Sequence, residues 1–238
     1  MRRLLPAVLL VSTAAIAYEI LLMRMLSIVQ WHHFAYMVIS LSLLGYGASG
    51  TAIALGRNWL APRFAGAVAA CALLFSITMA GCWALGQQIP FNALEVVWNP
   101  RQLLLLGAMY LLFMIPFFFA AACIGLAFTF RSEMAGRIYL FDLFGAGTGA
   151  VLVIALLFFL PARHALVLLS LLALIAALIA GGGRVLRLSA IAWAALLVAG
   201  LQCGLFDPAP SEFKSLSKSL QTTGSGVVTG RSSPLGLL

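Results

Sequence analysis

Seven apolar stretches, running approximately over 4–27, 34–56, 64–86, 102–130, 138–160, 164–182 and 188–206, leave this chain few ways to fold. A helix that crosses a bilayer needs about 20 apolar residues, and each stretch reaches or approaches that length. The breaks between them are short and carry turn residues and arginine: "GRNWLAPR", "QQIPFNALEVVWNPR", "RSEMAGR", "PARH" and "GGGRVLR". Composition agrees. Hydrophobic residues make up 63% of the chain and charged residues 8%, against about 45–50% and about 25% in a soluble domain. Too few charges remain to cover a water-facing surface. The expectation is an all-α, polytopic transmembrane helix bundle of about seven spans over residues 1–206, followed by a polar C-terminal tail over 207–238.

The formal net charge of +8 does not mark a nucleic-acid binder. The lysines and arginines are dispersed between the apolar runs, whereas a nucleic-acid surface gathers them on one polar face. Loop arginines also set orientation, because cytoplasmic loops are enriched in them. With a cytoplasmic N-terminus, Arg2, Arg3, Arg57, Arg63, Arg131, Arg137, Arg184 and Arg187 fall on the cytoplasmic side, and only Arg24, Arg101 and Arg163 on the other. The expected location is therefore a bacterial inner membrane, multi-pass, N-terminus inside. Seven spans would place the tail outside the cytoplasm. The opening "MRRLLPAVLLVSTAAIA" mimics a signal peptide ending at Ala17. Because the apolar run continues to about Val29, an uncleaved first helix is expected.

The four cysteines, Cys71, Cys82, Cys123 and Cys203, are scattered through apolar runs and read as small hydrophobic side chains rather than a metal set. No cofactor motif or hydrolase triad is visible, so no catalytic, cofactor-binding or metal residue is expected. "GAGTGA" at 145–150 lies within a span, outside the strand-to-helix setting that a dinucleotide loop requires. Its Gly145 and Gly149 have the four-residue spacing that lets helices approach closely, and Gly45 and Gly47 of "GYGASG" are read the same way. An unwound stretch lining a site is the alternative for both segments. Pro116 should kink the fourth span or mark a break in it.

The polar residues within the spans carry the functional question. "YEILLMRML" holds Glu19 and Arg24 five residues apart, about 140° around a helix, so they do not form an ideal pair. Arg24, near the end of its span, is placed to snorkel. Glu19 lies roughly 22 Å along the helix from Leu4, inside the hydrocarbon. It must face the interior, carry a proton or find a partner. The adjacent His32 and His33 belong to an aromatic belt with Trp31, Phe34 and Tyr36, or to a polar mouth that binds a cation. Asp142 lies about one and a half turns into the fifth span. Glu19 and Asp142, at different depths, mark either a path across the bilayer or two separate packing locks.

Taken together, "AAIAYEILLMRMLSIVQWHHFAYMVISLSLLGYGASG" and "GRIYLFDLFGAGTGAVL" resemble the membrane domain of the bacterial membrane-embedded spermidine synthase-like proteins. The tail "FKSLSKSL…VVTGRSSPLGLL" is similar to the junction where their soluble aminopropyltransferase-like domain begins. The resemblance makes Tyr18, Glu19, Arg24, Arg137, Tyr139 and Asp142 signature positions, without assigning them roles. It implies a membrane domain that anchors a synthase domain and handles polyamine substrate or product, with the lipid bilayer, that soluble domain and polyamine as partners. On this resemblance the chain is expected to be the membrane half only, without the catalytic domain. A homo-oligomer is compatible with such a bundle. A stand-alone small-solute or cation transporter is the competing expectation, and a purely structural anchor the third.

Overall fold

The computed structural model describes residues 3–30, 33–92 and 95–208; the expected tail lies, beyond Pro208, outside the described residues. The described residues are helical, with no strand, and form seven α-helices: α1 (Leu4–Val29), α2 (His33–Leu60), α3 (Phe64–Gly86), α4 (Pro100–Phe130), α5 (Ala135–Phe159), α6 (Ala162–Ala180) and α7 (Arg184–Gln202). Six stretches are long and apolar enough to cross a membrane. One of them, Tyr36–Gly86, is 51 residues long and contains both α2 and α3. A straight helix of that length would measure about 76 Å, far more than the roughly 30 Å of hydrocarbon. The turn Ala61–Arg63, with Pro62 in its first residues, divides it.

Side-chain registers fix the direction of each helix. Phe64 of α3 meets Phe130 of α4 and Trp83 meets Phe113, so α3 and α4 run antiparallel. Gly45 of α2 faces Phe117 and Ile53 faces Gly125, so α2 runs parallel to α4. Gly145 and Gly149 of α5 lie against Leu9 and Thr13 of α1, so those two are parallel as well. Glu19 of α1 meets Ser42 of α2, as expected for neighbours joined by a short turn. The result is an up-and-down bundle with two poles. One pole carries the start of α1, the α2–α3 turn, the α4–α5 turn and the start of α7. The other carries the α3–α4 loop, the α5–α6 turn and the end of α7.

Helix α1 is the axis of the bundle. It packs on α2, α4, α5 and α6, and buries Ala7, Val11, Ala14, Tyr18, Leu21 and Met25 among others. A helix apolar on every side belongs in the interior. Helices α5 and α7 are peripheral, with only 22% and 17% of their apolar windows buried. Between helices in lipid there is little hydrophobic drive, so close packing and hydrogen bonds must hold the bundle. Glycine supplies the closest approach. A Cβ on Gly145 would lie 2.5 Å from the Leu9 carbonyl oxygen, and one on Gly149 would run into the carbonyl of Thr13. On α2, a Cβ at Gly45 would lie 2.9 Å from the Phe117 Cβ.

Gly47 corrects the expectation drawn from its spacing. It is exposed, with nothing within 4 Å of where a Cβ would stand, so it packs against no other helix among the described residues. Its neighbour Gly45 alone faces α4. Both glycine segments are continuous α-helix, which removes the unwound alternative. Helix α4 likewise runs through Pro116 over 31 residues.

A second device joins α3, α6 and α7. The Ser76 hydroxyl donates to the Ser170 carbonyl at 2.7 Å, and the Ser170 hydroxyl returns a bond to the Ser76 carbonyl at 3.2 Å. Trp193 Nε1 of α7 donates to Ser76 Oγ at 3.0 Å. After α7 the chain turns at Gly204, with φ +70°, and folds back over the second pole. There Phe206 is buried, its carbonyl accepts from Trp83 Nε1 at 3.2 Å, and Arg163 grips both carboxylate oxygens of Asp207 at 2.7 and 2.8 Å.

Candidate functional site

The residues named from sequence are distributed unevenly. Tyr18 is fully buried, in edge contact with Phe75 at 6.4 Å and tilted on Phe117 at 5.3 Å. Its hydroxyl has no hydrogen-bond partner among the described residues. Arg24 is half-buried near the end of α1, and its carbonyl accepts from Ser27 at 2.7 Å. His32 lies outside the described residues, and of His33 only the backbone, opening α2, is described. Arg137 is exposed at the first pole, and Tyr139, 59% exposed, sits on the outer face of α5.

Glu19 and Asp142 are both half-buried and both meet a serine of a neighbouring helix. Ser42 Oγ donates to Glu19 Oε1 at 3.1 Å while also reaching its own Ile39 carbonyl at 2.8 Å. Ser12 Oγ donates to Asp142 Oδ1. Among the described residues neither carboxylate is ion-paired; the salt bridges join Arg131 to Glu133 and Arg163 to Asp207, at the ends of the spans. The two acids are therefore not partners of each other, as their different depths imply.

Helix periodicity connects them nonetheless. Ser12 and Glu19 are seven apart and share one face of α1; Ser42, Tyr46 and Ser49 share one face of α2 at spacings of four and three. Because α1 and α2 run antiparallel, these faces oppose each other. Tyr46, about one turn along α2 from Ser42, lines the same cavity as Asp142. The outcome is a strip of hydroxyls, two helical turns or about 10 Å long, with a carboxylate at each end.

At the Asp142 end the strip opens into a cavity of about 370 Å³ between α1, α2, α4 and α5. Ser12, Tyr46, Ser49 and Asp142 give it a polar side, and Ile53 and Phe128 an apolar one. Next to it, Thr13 and Thr148 share a hydrogen bond of 3.1 Å across the α1–α5 seam.

Ser12, Ser42, Tyr46 and Ser49 were not singled out by sequence. Their only signal is the seven-residue repeat of polar positions along α1 and α2, which becomes legible once Glu19 is taken as its anchor. No group of three His, Cys, Asp or Glu side chains placed to hold a metal occurs among the described residues. All four cysteines are free thiols. Compared with known proteins, the chain matches no family model, no curated protein and no solved structure.

Proposed function

We propose that this bundle is the membrane domain of a spermidine synthase-like protein and that it handles a small organic cation of the polyamine class. One observation carries the reading: two carboxylates inside the spans have hydroxyl donors and no basic partner among the described residues. An ionised carboxylate in that setting is costly, so it takes up a proton or a cation. A linear amine presents charged nitrogens separated by methylenes, and a strip with an acid at each end and hydroxyls between complements that pattern.

The test is uptake and binding of labelled spermidine by the chain in liposomes, comparing the parent with Glu19→Gln/Asp142→Asn. Loss of binding and flux supports the reading. Unchanged binding and flux abandon it. Uptake of an inorganic cation in preference to the amine favours a stand-alone cation transporter.

The same reading sets the chain in a bacterial inner membrane with its N-terminus inside. Its support is the division of charge between the poles: Arg3, Arg57, Arg63, Arg131, Arg137, Arg184 and Arg187 at the first, Arg24, Arg101 and Arg163 toward the second. The tether from Arg163 to Asp207 holds the start of the tail at the second pole, so on this reading a soluble domain attached there lies outside the cytoplasm. A cysteine introduced at Ser211 and probed with a membrane-impermeant thiol reagent, after the native cysteines are removed, checks that side directly.

A further inference from the structure

The arginine-rich pole contains a feature unrelated to the carboxylate strip. A cavity of about 480 Å³ lies where α1 and α3 begin, beside the α4–α5 turn. Its two charged lining residues are Arg3 and Arg131, which are distant in sequence and come from different helix ends. Arg3 is exposed and reaches the α6–α7 turn, where its Nη1 stands 4.0 Å from the position of a Cβ on Gly181. Arg131 is half-buried, stacked over the Phe64 ring at 5.3 Å. Its contact with Glu133 is long, 3.9 Å, and both side chains in it are solvent-exposed in part, so Glu133 holds it only weakly, and Glu133 does not itself line the cavity. Leu4, Val68 and Met134 line the remainder and are apolar. Two helix starts, of α1 and α3, and two helix ends, of α4 and α6, border the cavity, so their opposed dipoles offset one another and the guanidiniums supply its charge.

We propose that this cavity binds the phosphate of an anionic phospholipid. Phosphate is the anion that paired guanidiniums hold best, through parallel charge-assisted hydrogen bonds. The cavity's level decides the source of that phosphate. It sits at the ends of apolar helices, where head groups lie, and its apolar wall continues toward the bilayer interior. A free phosphate would leave Leu4, Val68 and Met134 without an occupant, whereas a lipid covers them with the first segment of its acyl chains. Basic pockets at this depth are the sites at which anionic head groups are recognised.

The experiment uses the full chain in zwitterionic detergent, titrated with short-chain phosphatidylglycerol, with phosphatidylcholine and glycerol 3-phosphate as comparison ligands. Arg3→Gln/Arg131→Gln should weaken phosphatidylglycerol binding about tenfold or more. Arg184→Gln/Arg187→Gln removes the same charge from the same pole outside the cavity and should change it by less than about twofold. Arg3→Lys/Arg131→Lys keeps the charge and guards against a folding defect; it should weaken binding by about threefold through loss of the paired geometry. Equal losses in the two glutamine variants would show a diffuse field and overturn the site. Unchanged affinity in the lysine variant overturns the guanidinium geometry, and glycerol 3-phosphate competing at the lipid's own concentration overturns the lipid as its source.

Discussion

Two polar seams cross this bundle, and they are built in opposite ways. Between α3 and α6, Ser76 and Ser170 are fully buried and exchange hydroxyl-to-carbonyl bonds, with Trp193 completing the set. Every side chain in it is neutral and already matched. Between α1, α2 and α5, Glu19 and Asp142 are only half-buried and rely on single serine donors, and Asp142 borders open volume. A matched neutral seam has nothing left to offer a ligand, so its role is to lock helices. An under-matched seam of ionised acids would cost stability, and on the proposed reading that cost is what a proton or an added cation relieves.

The comparison breaks first at the carboxylates. Glu19→Gln and Asp142→Asn should each weaken amine binding about tenfold, since a hydrogen bond to a charged group is worth about 1.5–3 kcal/mol. Thermal melting should hold steady or rise, because a costly charge has gone. A fall in melting with binding intact would instead make the acids packing locks. Next in size, Gly149→Val should destabilise the bundle by about 1–3 kcal/mol, as the new side chain meets the Thr13 backbone. Gly147→Val, two residues away and facing open space, should leave unfolding in detergent unchanged.

The neutral seam should yield less. Ser76→Ala should cost about 0.6 kcal/mol in equilibrium unfolding, the scale found for hydrogen bonds between helices in lipid, with amine selectivity untouched. The smallest effect is expected at Tyr18. Its buried hydroxyl lacks a partner among the described residues, so Tyr18→Phe should be neutral or stabilising by about 1 kcal/mol. If that variant lost amine uptake without losing stability, Tyr18 would belong to the strip after all.

Helix existence and extent were legible in the sequence because apolar length is a one-dimensional signal. The boundaries drawn for all seven helices fall within about four residues of those observed, with the largest offsets at the end of α2 and at both ends of α7. Helix orientation about its own axis was not legible. The apolar runs have little periodic asymmetry, so nothing local distinguishes Gly45, pressed against Phe117, from Gly47, two residues on and open. The strip was half legible. Glu19 and Asp142 stand out as acids among apolar residues. Their partners are ordinary serines at sequence separations of 23 and 130, which only the packed bundle brings together.

The fold-back after α7 has a mechanical consequence. Helix α7 is the most lightly embedded of the helices, and a load applied to the chain beyond it would strip it from the bundle if it were the only attachment. The load does not reach it first. A pull on the tail meets the fork of Arg163 on Asp207, then the Phe206 side chain and the Trp83 indole that holds its carbonyl. Tension is thereby shunted into α3 and the first turn of α6, in the manner of a strain relief on a cable, before it reaches the most lightly embedded helix.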